Sequence, residues 1–375
     1  MLFAPSIIEE GLTLVRRVDS KYAPVWQGRP TEQQAAMAWY FLPHNSGKAA
    51  LAPTRPRVIK WYCPFADQRD FPSGHRYCIN VYTGCAHKCE YCYAAGYEPQ
   101  QPGCKKDFDR LLRKDLDDLE RFDVPPAPVH LSNSTDAFQP VEAAVGQTRL
   151  ALEHLARHRR RFTTATVLTK NPLLAARPEY VELLNRLGFL PPDHPRQAEF
   201  TRRGLPGLRV EVSLAFWREE ARTVFDPGAP SVIERVEGIR RLREAGIPVV
   251  LRIDPLLPRN PLSGKTWTDF GLPEPQSLDD LDRILTFAAE VGVMHVVYSV
   301  AKIIRPRRGA LSQVMRKLLA GYRHLAGPQG LAFRGGSWRL PDDLARRQVI
   351  EPFLSLCRRH GLSAQFCKQN LISTP

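Results

Sequence analysis

Cys85, Cys89 and Cys92 stand as Cys-x3-Cys-x2-Cys within the run from Gly84 to Tyr93. That spacing puts three thiolates on one short loop and supplies no fourth. A cubane iron–sulfur cluster normally takes four cysteines, one per iron. Three cysteines leave one iron able to hold another ligand. Structural zinc wants a closed set of four ligands. Here His87, Cys78 or Cys104 would have to complete such a set, and His87 sits between ligands on a tight loop, where its geometry is awkward. The triad therefore favours a cluster over zinc. Eight cysteines in 375 residues are too few for a disulfide scaffold and point to a reducing cytoplasm.

The elements that position this loop follow from hydrophobic periodicity. Short β-type runs are expected at Tyr77–Tyr82, Pro128–Ser132, Thr163–Leu168, Leu208–Leu214, Pro248–Ile253 and Met294–Ser299. Helices are expected between them, near Phe108–Arg121, Thr148–His158, Pro172–Leu187, Ser231–Ala245 and Leu278–Val291. The first of these carries Leu111, Leu112, Leu116 and Leu119 at helical steps. Such alternation implies an α/β fold with a parallel sheet and helices outside it. A sheet of this kind can curve into a barrel, with function on the loops that leave the strand C-termini. The cysteine loop follows the first strand and so falls on that face.

Residues 1–75 are Pro-rich and read as an irregular N-terminal extension, with aromatic spots at Trp39-Tyr40-Phe41 and Trp61-Tyr62. Residues 76–305 read as the core, and 306–375 as a C-terminal helical extension with a last helix at about Pro341–His360. Longer insertions are expected at 187–207 and 255–277. No apolar run approaches the roughly 20 residues that span a bilayer, and the first residues lack the pattern of a secretory signal.

Formal net charge is +14. The cations come in knots: Arg157-His158-Arg159-Arg160-Arg161, Arg202-Arg203, Arg240-Arg241 with Arg243, Arg305 with Arg307-Arg308, and Arg358-Arg359. A field of this size attracts polyanions and points to a nucleic-acid or phosphate partner. The alternative for each knot is a solvated helix face.

The cysteine loop, with an aromatic directly after Cys92, resembles that of the radical S-adenosylmethionine (SAM) enzymes. Within that superfamily the chain, over roughly residues 75 to 370, resembles the branch of spore photoproduct lyase and the DNA repair photolyase-type proteins. The resemblance rests on Gly84-Cys85 to Tyr93, on Ser132-Asn133-Ser134-Thr135-Asp136-Ala137-Phe138-Gln139-Pro140, on Leu168-Thr169-Lys170, on Glu211-Val212-Ser213, and on Gly246-Ile247-Pro248 leading to Ile253-Asp254-Pro255. It implies a partial (β/α)6 TIM-type barrel, a [4Fe–4S] cluster on Cys85, Cys89 and Cys92, and SAM on the fourth iron. Reductive cleavage of SAM would then yield a 5′-deoxyadenosyl radical. A reducing electron donor such as flavodoxin or ferredoxin is implied as a partner.

The same resemblance assigns site residues. Thr135 and Asp136 are expected near the SAM amino group or ribose, Lys170 near its carboxylate, and Ser213 near the ribose or carboxylate. A cation at Lys170 suits an anionic carboxylate. Tyr91 and Tyr93 flank Cys92, where the lyases place tyrosines near SAM that take part in hydrogen return. Tyr93 is also suited to pack on the adenine. One departure stands out. The lyases keep a hydrogen-donating cysteine shortly before the Ser/Thr-Asp of the second strand, and this chain has Asn133 there. Cys63, Cys78, Cys104, Cys357 and Cys367 are the remaining thiols.

Three readings follow. The leading one is a radical SAM enzyme acting on a nucleic acid, in lesion repair or base modification. The second keeps the chemistry and changes the substrate to a peptide or small metabolite. The third is a non-catalytic iron–sulfur protein that binds nucleic acid.

Overall fold

The computed structural model describes residues 5–17, 30–41, 57–60, 77–96, 101–121, 123, 126–306 and 309–367. Trp61, Tyr62, Cys63, Arg307 and Arg308 lie outside them. Eight strands form one sheet, and their order across it is their order along the chain. They are β1 (Ile59–Lys60), β2 (Tyr77–Ile79), β3 (Ala127–Leu131), β4 (Phe162–Thr169), β5 (Leu208–Ser213), β6 (Val249–Leu256), β7 (His295–Val300) and β8 (Ser363–Phe366). β1 pairs antiparallel with β2, and every other neighbouring pair is parallel. The six expected strands are thus β2 to β7, and the sheet they form is open.

Sequential parallel order requires a crossover after each strand, always on one side. Helices Phe108–Arg121, Gln147–Arg157, Pro178–Gly188, Val232–Glu244 and Leu278–Glu290 supply these crossovers. Their starts are encoded locally. Ser231 and Ser277 each accept a backbone N–H three residues on, and Glu234 and Asp280 answer with reciprocal bonds, an arrangement that satisfies otherwise orphaned helix donors. The expected helix at Pro172–Leu187 is two pieces, Pro172–Ala175 and Pro178–Gly188. The cause is Pro178, which opens a new helix and disfavours helical backbone at Arg177.

The strands alternate in a way that decides where chemistry can occur. On β5, Leu208, Val210 and Val212 are fully buried apolar residues, whereas Arg209, Glu211 and Ser213 line a cavity on the inner face. On β6, Leu251 and Ile253 join the core while Arg252 and Asp254 line the cavity. His130 on β3 and Ser299 on β7 do the same. A one-residue period change would exchange the two faces, so the alternation holds the polar set inside.

β1 and β8 form the two edges of the sheet. The stretch read as irregular holds helices Pro5–Arg17 and Thr31–Phe41 as well as β1. Asp115, buried on the first crossover helix, accepts from Val58 N at 2.7 Å and Ile59 N at 2.8 Å and so captures β1. At the other edge β8 pairs with β7 in parallel register, following helix Glu351–Arg359. The expected last helix is interrupted by a π turn at Arg346–Ile350.

Gly238 sits where helix Val232–Glu244 crosses the turn that begins just after Lys170. A Cβ there would stand 2.2 Å from Leu173 N and 2.5 Å from Pro172 C. Backbone cannot yield as a flexible side chain does, so Gly238→Ala is expected to destabilise the fold by about 1–3 kcal/mol. A thermal melt should show this as a drop of several degrees; an unchanged midpoint would mean that the helix crossing is loose.

Candidate active site

The cysteine loop lies at the C-terminal end of the parallel strands, as the order of elements requires. Cys85, Cys89 and Cys92 line one wall of a cavity of about 450 Å³. Tyr91, Tyr93, Thr135, Asp136, Lys170 and Ser213 line the same cavity, so one space collects every candidate residue named from the sequence.

The loop is held from below by a turn that sequence reasoning passed over. Gly228 N donates to His87 O at 2.9 Å, and Glu90 N donates to Phe225 O at 2.9 Å. A Cβ on Gly228 would lie 2.3 Å from Ala86 O. His87 is held through Nδ1, 3.2 Å from Gly228 O, while Nε2 faces Asp136 Oδ2 at 3.1 Å without hydrogen-bond alignment. Its ring nitrogens therefore serve the loop and are not directed at a metal. Cys78 receives the Asn133 side-chain amide at 3.1 Å, and Cys104 is exposed. Among the described residues no group of three or more His, Cys, Asp or Glu side chains gathers tightly enough for a single metal ion. A cubane spreads its thiolates over separate irons and has no need of such a convergence.

Opposite the thiols stands a buried charged network. Lys170 Nζ donates to Ser213 Oγ at 2.7 Å and to Tyr91 Oη at 3.0 Å, and lies 3.7 Å from Asp226 Oδ2. Tyr91 in turn donates a short hydrogen bond to Asp226 Oδ1. Arg235, fully buried, approaches Asp226 Oδ2 at 3.2 Å and Ser213 O at 3.3 Å. Burial alone would raise the Asp226 pKa, but Lys170 and Arg235 outweigh it and hold the carboxyl at about 2. Burial likewise works against the Lys170 ammonium, and Asp226 beside it lifts its pKa above the usual lysine value. Burial and Asp226 together push the Tyr91 phenol well up, so it stays protonated. An ammonium has three N–H donors. Two are used by Ser213 and Tyr91, which leaves one for a ligand in the cavity.

Asp136 is placed differently from a residue with spare acceptors. Its Oδ1 accepts from Phe138 N and Thr169 Oγ1, both at 2.8 Å, and its Oδ2 accepts from Lys170 N at 2.6 Å besides facing His87. It ties the end of β3, the end of β4 and the cysteine loop together. Burial opposes its charge, and His87 with these donors still holds its pKa below the usual carboxylate value. Thr135 Oγ1, by contrast, is buried on the cavity wall with no hydrogen-bond partner among the described residues. An orphaned hydroxyl is costly unless something in the cavity satisfies it.

Tyr93 donates to Asn133 O at 2.5 Å and lies 3.3 Å from Ser134 Oγ, with Lys302 Nζ 5.9 Å from its ring centroid. Its phenol is thus anchored to the β3 end while its ring faces the cavity. Of the cysteines outside the loop, Cys367 lines the cavity, where Arg252 Nη2 donates to its sulfur at 2.9 Å; Cys357 is buried elsewhere. Burial pushes the Cys85 thiol up to about 12, with Asp136 adding to it, and Cys89 is raised well above the ordinary value by burial and Asp226. A metal centre supplies the positive charge that such thiols need to ionise.

Three residues missed from the sequence therefore support the site: Asp226, Gly228 and Arg235. The local signal for Asp226 and Gly228 is the run Phe225-Asp226-Pro227-Gly228, a carboxylate set before a Pro-Gly turn, and Arg235 carries none.

No protein-family model matches the chain. Among curated proteins it is similar to an uncharacterized protein of Methanocaldococcus jannaschii, 22% identical over 185 residues, covering 49% of this chain and 62% of that protein. The chain therefore spans less than two thirds of that relative's length. It is also similar to an uncharacterized protein of Mycobacterium bovis, 27% identical over 300 residues, which is 76% of each chain. In fold, the chain has the open, mostly parallel α/β architecture of the radical SAM enzymes. In this fold it is similar to spore photoproduct lyase. A cysteine-to-serine variant of that enzyme superposes with a TM-score of 0.54, at 13% identity and covering 83% of this chain and 80% of that one. Its complex with dinucleoside spore photoproduct gives 0.51, at 13% identity and covering 84% and 80%.

Gly228 offers a direct test of how the loop is held. Gly228→Ala should leave the fold intact while displacing Ala86 and His87, so iron and sulfide bound per chain after anaerobic reconstitution should fall by at least half. Full iron content with a native circular-dichroism spectrum would show that the turn does not position the thiols.

Proposed function

We propose that the protein is a radical SAM enzyme that acts on a nucleic acid, in lesion repair or base modification. The observation that carries the reading is the pairing across one cavity of a three-thiol loop with an ammonium that has a donor to spare. Cys85, Cys89 and Cys92 would hold three irons of a [4Fe–4S] cluster. Lys170 would take the SAM carboxylate, and Thr135 Oγ1 would find in the amino group or ribose the partner it lacks. Ser213, which already accepts from Lys170, keeps its own proton for the ribose or carboxylate. Tyr93 would face the adenine with its anchored ring. When bound, the cluster and SAM supply a 5′-deoxyadenosyl radical that removes hydrogen from a C–H bond.

The residues of the chain have the remaining tasks. Asp226 keeps Lys170 charged, and Asp136 holds the strand ends and the cysteine loop in one arrangement. Tyr91, protonated and hydrogen-bonded to both Lys170 and Asp226, is placed between the thiol loop and the ammonium. Asn133 cannot donate hydrogen to a carbon radical at a useful rate, so the reading does not extend to the thymine-dimer lyase reaction.

The nucleic-acid part rests on the net charge of +14 and on basic residues at the cavity, Lys302 and Arg339. It is narrower than the arginine knots alone would suggest. Arg159 is a structural residue, buried and donating to Leu187 O and Gly207 O, each at 3.0 Å. Arg161 pairs with Glu120 and Asp123, and Arg241 with Glu237. A flavodoxin or ferredoxin would serve as electron donor.

Anaerobically reconstituted protein given a strong reductant should convert SAM to 5′-deoxyadenosine, and Cys89→Ala should lower that yield at least a hundredfold. An intact cluster that makes no 5′-deoxyadenosine would leave only a non-catalytic role. Binding to single-stranded DNA should weaken steeply between low and moderate salt, with a log–log slope that counts released counterions; salt-independent binding would argue for another substrate class.

A further inference from the structure

The cavity extends below the proposed cofactor residues to a floor that none of them uses. Arg209, Glu211, Arg252 and Asp254 form it, from the inward positions of β5 and β6. Arg252 uses both terminal nitrogens within the protein: Nη1 donates to Glu211 Oε2 at 2.5 Å, and Nη2 to Asp254 Oδ2 at 2.7 Å and Cys367 Sγ at 2.9 Å. Arg209 is not. It is 4% exposed, and its one ion pair among the described residues is Nε to Glu211 Oε1 at 3.3 Å, without hydrogen-bond alignment. The two terminal nitrogens of its guanidinium make no hydrogen bond to a described residue, although Arg209 lines the cavity. Nε is buried without a hydrogen-bond partner among the described residues, and the N–H donors of the terminal nitrogens stay open to an acceptor in the cavity that Arg209 lines.

The charge of the floor selects among acceptors. Two arginines face two carboxylates, so the floor is formally neutral. A phosphate or carboxylate brought onto Arg209 would lie beside Glu211 in a poorly solvated space, where like charges repel strongly. An uncharged carbonyl meets the same N–H donors without that repulsion. The rim has the opposite character, with the cations Lys302 and Arg339 on the cavity wall.

We propose that Arg209 is a substrate-recognition residue that takes the carbonyl edge of a nucleobase inserted base-first into the cavity, with its phosphate left at the Lys302 and Arg339 rim. This inference rests on the nucleic-acid reading above and names the part of the substrate that enters. Extruded bases are held in this way elsewhere, by hydrogen bonds to the base edge inside a pocket, and guanidinium groups suit base carbonyls.

The test uses the reconstituted holoenzyme with saturating SAM, titrated under anaerobic conditions. The probes are thymidine 5′-monophosphate, which has two base carbonyls, and 2-deoxyribose 5-phosphate, which has no base. The wild type should bind the nucleotide at least tenfold more tightly than the sugar phosphate. Arg209→Met should abolish that preference. Arg209→Lys keeps the charge beside Glu211 and loses the fork, so it guards against a folding failure and should also lose most of the preference. Arg339→Ala should weaken both probes to a similar degree. Equal binding of the two probes by wild type, or a preference that survives both Arg209 variants, would overturn the assignment while salt-dependent DNA binding kept the broader reading. If wild type bound neither probe nor DNA, both would fall together.

Discussion

Asp226 lies buried between two cations, Lys170 and Arg235, and most of the site depends on that arrangement. Taking charges out of water is expensive, and a buried ion whose partner is removed costs about 3–5 kcal/mol. Here one carboxylate serves both cations and also receives the Tyr91 phenol. The network is therefore satisfied only when helix Val232–Glu244, the end of β4 and the cysteine loop are all in place. The same contacts that stabilise the fold point the Lys170 ammonium into the cavity.

Asp136 has a comparable place one strand over. Its two oxygens are shared among the loop after β3, the end of β4 and His87 of the cysteine loop, so a side chain that reads as a ligand candidate acts chiefly to position others. Loops that carry chemistry tend to be the less rigid part of a fold. This one is tied at His87 and Glu90, through backbone and side-chain bonds to the turn at 225–228. The thiols are thus presented from a supported surface even though the loop has almost no regular structure of its own.

The inner face of the sheet continues this geometry below the cysteine loop. Parallel sheets usually bury both faces in apolar contacts. In this chain the outward residues of β5 and β6 obey that rule, while the inward ones carry two arginines and two carboxylates. Polar side chains held there must find partners in one another or in a ligand. Arg252 finds them within the protein, and Arg209 has donors left over. The arginine knots show the reverse: Arg159 looks like surface charge in the sequence and is a buried brace between backbone carbonyls.

Thiol spacing and hydrophobic period are local properties of the chain, so the cysteine triad, the six central strands and the crossover helices were legible before folding was considered. The sequence also singled out Tyr91, Tyr93, Thr135, Asp136, Lys170 and Ser213, since a resemblance can be read motif by motif. Edge strands β1 and β8 escaped it, being two and four residues long with no periodicity to detect. Asp226 escaped it for a deeper reason. Its partners Tyr91 and Lys170 are distant in sequence, and a lone carboxylate before a turn carries no mark of what it will face. Which of the site residues are already saturated, as Asp136 is, and which keep a free donor or acceptor, as Lys170 and Thr135 do, was decided by the tertiary structure alone. Hydrogen-bond capacity is a property of a residue type, but what remains of it depends on neighbours that only folding brings within 3 Å or so.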